Sequence, residues 1–529
     1  METVAGGGRQ AARRRACAIA ALAAWCAIIC GACAKPAPAT PSGYLQVDIN
    51  TSPAALDPRI AADAISERVA ELIYDSLVRI GRDGHFYGDL AASIERPSPV
   101  EIIFHLRHGV RFSDGRPLTA RDVQYTYASV LDPATQSIKR AGFAELATLR
   151  AADDYTIVMT TRRPYAPALE MAMLGIVPAD TPAPGAGAAI APAGSGPFAL
   201  ADFRRDESVT LARNAYSSYA AGGVPGIVFK IVPNATVRVL ELAEGICDFT
   251  ENDGVQPELI PYLAAKPDLT IVKSPGTTYQ YLIFNFRDAR LRDPRVRRAI
   301  AYAIDRAAIV ASLLRGNARV ASGMLAPEDW AYDGAVTRYP YDPDKARALL
   351  EAAGYEARAR PLRLVYKTTP EGSRLAQAIQ AMLLRVGVAV DIHINDFATF
   401  YSDLRNGNFD LAASQWVGVG DPHQYYAIFD SRMMPAHGGN NRGDYANPRM
   451  DQLVEQGDAT LDPAARRAIY GTVQQLAADD LPYVSLWWID NVAAYNRRLA
   501  GFAPYPNGSL LSLAAAAYGA PRGPRRAAQ

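Results

Sequence analysis

Residues 279–306 read YQYLIFNFRDARLRDPRVRRAIAYAIDR, and the junction inside this span constrains the fold more than any other feature of the chain. In YQYLIFNF, Tyr279, Tyr281, Ile283 and Asn285 point to one face, and Gln280, Leu282, Phe284 and Phe286 to the other. Asp293 is placed to cap a helix, and Pro294 fits its first turn. Val296, Ala299, Ile300, Ala303 and Ile304 then recur at i, i+3, i+4, i+7 and i+8, a single apolar stripe. A strand that runs into a helix of this kind calls for a sheet with the helix packed on it.

The same span holds seven arginines, which raises the question of a polyanion. Lys+Arg total 55 against 54 Asp+Glu, a net charge of +1. A protein that lives on nucleic acid carries a marked basic excess, so that class is excluded. Arg295, Arg298 and Arg306 lie off the apolar stripe and are expected on the solvated back of the helix.

The alternation of short β-rich and helical runs continues along the chain without a fixed period, which excludes a repeat architecture. VEIIFHLRHGVRF (100–112) alternates and then turns at Ser113, Asp114 and Gly115. LTARDVQYTYASVL (118–131) opens on Thr119 as a cap and carries Val123, Tyr127 and Val130 at helical spacing. Residues 178–197 form a Pro/Gly/Ala loop. DPDKARALLEAAGY (342–355) is a capped helix stopped at Gly354, and residues 453–488 read as two helices and a strand. At 529 residues the chain exceeds one hydrophobic core, so mixed α/β lobes are expected.

The N-terminus stands apart. Arg9, Arg13, Arg14 and Arg15 precede an apolar run at 16–30, shorter than the ~20 residues of a membrane span. This order reads as a secretory signal, followed by a Pro/Ala/Ser tether. The junction at Gly31, Ala32 and Cys33 resembles a lipoprotein signal with Cys33 as the acylated residue, although Cys30 stands where Leu is usual. The alternative is an ordinary signal cut near Ala32 or Ala34. Beyond this region only Cys247 remains, so no internal disulfide is available.

Seven stretches in order resemble the family 5 solute-binding proteins of ABC transporters, the dipeptide-, oligopeptide- and nickel-binding group. They are LDP (56–58) with IYDSLVRIGRDGHFYGDLAAS (73–93), FHLRHGVRFSDGRPLTARDV (104–123), GSGPFAL (194–200), DPRVRRAIAYAIDR, YDPDKARALLEAAGY and GNFDLAASQW (407–416). The resemblance implies an α/β, two-lobed periplasmic binding protein fold (type II, cluster C-like) with an extra α/β subdomain in lobe I. It places the signal peptide at 1–32, a tether at 33–43, and lobe I at 44–73 and 185–272. The inserted subdomain is expected at 74–184, lobe II at 273–487, a return to lobe I at 488–515, and a disordered tail at 516–529.

The resemblance also implies that the loop after Trp416 (QWVGVGDPHQYY) lines the ligand cavity, with Val417 and Gly418 offering backbone groups. Peptide-binding members often carry an aspartate three residues after this tryptophan, paired with the ligand's α-ammonium. Here that position is Val419, and the nearest charge is Asp421. Asp421 either restores the amine partner or caps the following turn. Tyr279 and Tyr281 share a face where lobe II begins, either against ligand or in plain packing; Tyr425 and Tyr426 are weaker candidates. Asn440, Asn441 and Asn447 read as turn residues.

Catalytic readings fail on the residues. Ser195 lacks the first glycine of a G-x-S-x-G elbow, since Ala193 occupies it, and GAGAAI (185–190) lacks the third glycine of a dinucleotide loop. His105 and His108 fall on opposite faces of a strand, and a metal site from Asp421, His423 and His437 is disfavoured. The expectation is a non-enzyme without cofactor or metal. It would be a lipid-tethered, exported, monomeric component that delivers peptides or similar small solutes to an ABC permease and ATPase. A non-peptide ligand (oligosaccharide or metal chelate), an exported hydrolase, or a binding protein without a transporter are the alternatives.

Overall fold

The computed structural model describes residues 41–61, 63–184, 193–219, 223–252 and 255–519. The expected signal peptide, Cys33 and most of the tether lie outside these residues. So do residues 520–529 of the expected tail.

Two long antiparallel strands, Leu269–Phe284 and Tyr483–Asn496, form the spine and pair from Leu269 opposite Asn496 to Ile283 opposite Tyr483. Tyr483–Asn496 is buried on both faces along most of its length, and Leu269–Phe284 is so from Tyr281 onward. Beyond one flank lie Leu411–Trp416, Leu362–Thr368 and Val388–Ile394; beyond the other lie Phe249–Glu251, Leu45–Ile49, Gly226–Ile231, Ser208–Arg213 and Phe198–Arg204. Both lobes therefore hang on one continuous sheet. The predicted crossings at Lys273 and Trp488 lie inside the shared strands.

Pairing is interrupted between Ser274 and Thr278. A side chain at Gly276 would put its Cβ 2.2 Å from the Ile489 carbonyl oxygen, so only glycine lets the backbones approach there. The freed Thr277 amide donates to Pro506 O (3.0 Å), and Asn491 Nδ2 donates to Tyr505 O (2.8 Å) and Pro506 O (3.0 Å). The crossing point is thus tied to the returning chain.

The faces of 279–284 separate as the alternation requires. Leu282 and Phe284 join a core with helix Pro294–Ala303, which buries Val296, Ala299 and Ile300. Tyr279, Tyr281 and Ile283 join a second core under helices Pro448–Ala459 and Pro463–Asp480. Asp293 caps the first of these helices by accepting from Arg295 N. The other lobe is built around Leu45, Val47, Phe198, Ile227 and Phe229. A separate four-stranded sheet (Ala91–Ser98, Glu101–Leu106, Thr156–Thr161, Leu146–Asp153) packs on helix Ala120–Leu131 through Val123, Tyr127 and Val130. Thr119 and Asp122 close a capping box at that helix start.

Two expectations are corrected. Arg295 and Arg298 are exposed, but Arg306 is drawn inward: it donates to Ala321 O, Ser485 O and Tyr339 O and so staples three segments together. Backbone carbonyls at a strand edge outcompete water for its fixed fork of donors. Residues 516–519 of the expected tail are ordered instead, since Ala517–Tyr518 pairs with Leu499–Ala500 and Ala516 is fully buried. Small residues carry little rotamer entropy to lose, so AAAAY docks where a polar tail would not.

Candidate functional site

Trp416 is the last residue of its strand and lies opposite Tyr279 in register, with Ser414 opposite Tyr281. This pairing puts the indole and both tyrosines on one face. The Tyr281 ring stacks on Tyr483 at 4.2 Å and 5°, on Tyr279 at 5.6 Å, and on Trp416 at 6.3 Å and 17°. Tyr279 Oη shares a hydrogen bond with Ser485 Oγ (2.7 Å). Burial pushes the phenols of Tyr279 and Tyr281 up, so both stay neutral. Tyr279 also walls a cavity of about 260 Å³, with Arg306, Ser322, Met324, Tyr425 and Ser485.

Arg442 reaches this stack from a turn. Asn441 Nδ2 donates to Asp430 O (3.1 Å) and Tyr445 O (2.7 Å), and its Oδ1 accepts from Tyr445 N (3.1 Å). Gly443 O accepts from Phe286 N (2.8 Å), pinning the turn to the end of the spine strand. The guanidinium is thereby held 4.7 Å over the Trp416 ring and 5.0 Å over the Tyr401 ring. The residue is only 7% exposed.

The loop after Trp416 is enclosed from three directions. Val417 is 44% exposed, whereas Val419 is buried and donates its amide to Thr277 O (3.3 Å). Gly418 sits at φ +68°, and a Cβ there would lie 3.3 Å from Asn507 O of the returning chain. A Cβ on Gly420 would lie 3.5 Å from Ile80 Cδ1, on the edge of the other lobe.

Asp421 is spoken for. Its Oδ1 and Oδ2 accept from Arg466 Nη2 (2.6 Å) and Nη1 (2.9 Å), both side chains are buried, and Oδ1 also accepts from His423 N (2.7 Å). Of the two alternatives, the turn-capping geometry is present, together with a buried ion pair that carries no sequence signature. Both oxygens are occupied, which leaves no obvious place for an ammonium group. Tyr425 is buried behind the loop, and Tyr426 stacks on His423.

A second polar cluster joins the lobes. His423 Nδ1 pairs with Asp458 Oδ2 (2.8 Å), and Tyr470 Oη donates to Asp458 Oδ1 (2.9 Å). From the segment after strand Thr156–Thr161, Tyr165 meets His423 edge-on at 5.8 Å, and Ala166 N donates to Asp458 O (2.7 Å). Burial opposes charge on the imidazole, but Asp458, Glu170 and Asp421 outweigh it and push His423 up to about 9. Burial and the charge of Asp421 push Glu170 up to about 8. Among the described residues no three His, Cys, Asp or Glu groups are arranged to hold a metal ion.

Ser195 is buried between Gly194 and Gly196, where Cβ atoms would approach Ile73 backbone to 2.0 and 2.7 Å. Its glycines thus serve close packing, and the hydroxyl is buried. Sequence reasoning missed Arg442, Tyr483 and Arg466. Tyr483 was recoverable once its strand was paired with 279–284; nothing local marks the two arginines.

Residues 85–433 match the family described as bacterial extracellular solute-binding proteins, family 5 Middle. The probable D,D-dipeptide-binding periplasmic protein DdpA of Escherichia coli (strain K12) is 27% identical over 488 residues, 88% of this chain and 93% of that one. Protein XP55 of Streptomyces lividans is 30% identical over 446 residues, 79% of each chain. NikA from Brucella suis in complex with Fe(III)-EDTA superposes with a TM-score of 0.82 at 21% identity, covering 90% of this chain and 100% of that one. The oligopeptide-binding protein AppA from Bacillus subtilis, in complex with a nonapeptide, superposes at 0.80 with 22% identity, over 90% and 99%. These two structures share the two-lobed fold.

Proposed function

Because this chain belongs to the bacterial extracellular solute-binding proteins, family 5, we propose that it captures short peptides or similar small solutes between its lobes for an ABC importer. The observation that carries this reading is the enclosure of residues 417–420 by the crossing point, the returning chain and Ile80. A solute held there touches both lobes and favours the closed state over the open one. The closed form is what a permease and its ATPase would recognise. Trp416, Tyr279, Tyr281 and Tyr483 supply an aromatic wall, and Val417 and Gly418 supply backbone groups.

The peptide assignment is supported by relatives named as dipeptide- and D,D-dipeptide-binding proteins. A carboxylate-bearing metal chelate is the second reading, favoured by the absence of a free acid at Val419 and Asp421. The protein acts by binding, without catalysis; it is exported, monomeric and anchored through Cys33. No helix among the described residues is long and apolar enough to cross a membrane.

A thermal-shift screen of the full chain against peptides, oligosaccharides and metal chelates tests the reading, since a ligand that binds only the folded state raises Tm. Peptides are expected to raise it. Shifts with sugars or chelates and none with peptides would replace the peptide assignment. Peptide turnover that disappears in Ser195→Ala would overturn the non-enzyme reading.

A further inference from the structure

Arg442 is an anomaly on physical grounds. A guanidinium that is more than nine-tenths buried normally finds a carboxylate or a set of carbonyl acceptors, because an uncompensated buried charge is costly. Arg59, Arg238, Arg297 and Arg466 all do so here. Among the described residues no hydrogen bond or ion pair involves the Arg442 side chain, and its Nε is buried without a partner. Asp444, two residues on, pairs with Arg287 instead. The faces of Trp416 and Tyr401 attract the cation but offer no acceptor for its N–H groups.

A neighbouring polar atom shares this character. Trp416 Nε1 is buried without a partner, and an indole N–H can only donate. The hydroxyls of Tyr281 and Tyr483 are buried beside it and interact with each other and with Ser414. Donors predominate in this set: the acid nearest in sequence, Asp444, gives one oxygen to Arg287 and keeps the other buried without a partner, and no carboxylate pairs with Arg442, which flanks the loop that the proposed function places against the ligand.

We propose that Arg442 and the indole N–H of Trp416 form an anion subsite that receives a carboxylate group of the ligand. The planar fork of arginine matches a carboxylate with two parallel N–H donors, and the aromatic faces of Trp416 and Tyr401 hold that plane in place. The inference rests on the binding-protein reading and adds a ligand class. The solute carries a carboxylate, from a peptide C-terminus or another organic acid. Its recognition charge at this end is negative, where an aspartate at position 419 would demand a positive one.

The test uses the full chain with trialanine as free acid and as C-terminal amide, and with succinate and citrate, read by calorimetry and thermal melting. At least one carboxylate probe is expected to bind the wild type. Arg442→Met should weaken it tenfold or more, and Arg442→Lys should restore part of the loss. Trialanine acid, if it is the one bound, should exceed its amide by a similar factor. Without ligand, Arg442→Met should melt no lower than wild type, since it removes an unpaired buried charge; a drop of several degrees would make the arginine structural and overturn the subsite. Failure of every carboxylate probe to bind would also overturn it. Equal binding of trialanine acid and amide would remove the subsite while leaving peptide capture standing. Arg442-dependent binding of succinate or citrate, with neither form of trialanine bound, would keep the subsite and remove the peptide reading.

Discussion

Asp421 shows how little a residue's type says about its role until its partner is known. Its carboxylate closes a two-pronged pair with Arg466, whose guanidinium also lies 5.3 Å from the ring centres of Trp330 and Tyr470. Removing one member leaves the other charge buried alone, which costs about 3–5 kcal/mol. Asp421→Asn is therefore expected to lower unfolding stability by an amount of that order in urea titration. An effect under 1 kcal/mol would mean that the pair is not formed in solution. Arg442 differs from Arg466 only in lacking such a partner, and that difference separates a staple from a binding group. Neither was legible in the sequence. Asp421 and Arg466 lie 45 positions apart, and NNRGDY resembles any polar turn.

At the scale of elements, the loop after Trp416, helix Pro448–Ala459 and the segment 165–170 meet around His423. Asp458, itself bonded by Tyr470, faces the imidazole from the helices, Tyr165 and Glu170 from the segment 165–170, and Asp421 and Tyr426 from its own segment. His423, pushed up to about 9 from 6.5, contributes stability that is fully present below pH 6.5 and lost as pH rises through 9. Glu170, pushed up to about 8 from 4.5, is penalised as it ionises, so its stabilising contribution also falls with rising pH. The two act in the same direction. Melting temperature is expected to fall between pH 6.5 and 9, more steeply in wild type than in His423→Gln. Superimposable pH profiles for the two proteins would remove His423 as the source.

For the whole molecule, two lobes share the strands Leu269–Phe284 and Tyr483–Asn496, and the longer of the two interruptions in their pairing lies at 275–277, the other being a one-residue shift between Gln280 and Tyr281. Motion is expected to concentrate there, because the ladder between the two shared strands is broken around Gly276. Small-angle scattering should show the unliganded chain to be more extended, contracting on addition of a ligand found in the thermal screen. An unchanged radius of gyration on saturation would contradict closure about this hinge.

Much of the architecture was determined by sequence alone. The strand-to-helix junction at 279–306, the caps at Thr119, Asp293 and Asp462, and the two-sided alternation of YQYLIFNF are local consequences of backbone and side-chain geometry, so each is readable within a dozen residues. The family resemblance was likewise carried by contiguous motifs. Tertiary structure decided the charges. Whether Arg306 faces water or carbonyls, whether Asp421 is free or paired, and whether Arg442 has an anion depend on groups brought together from distant positions. Electrostatic energy depends on distance and burial, and neither exists until the chain has folded.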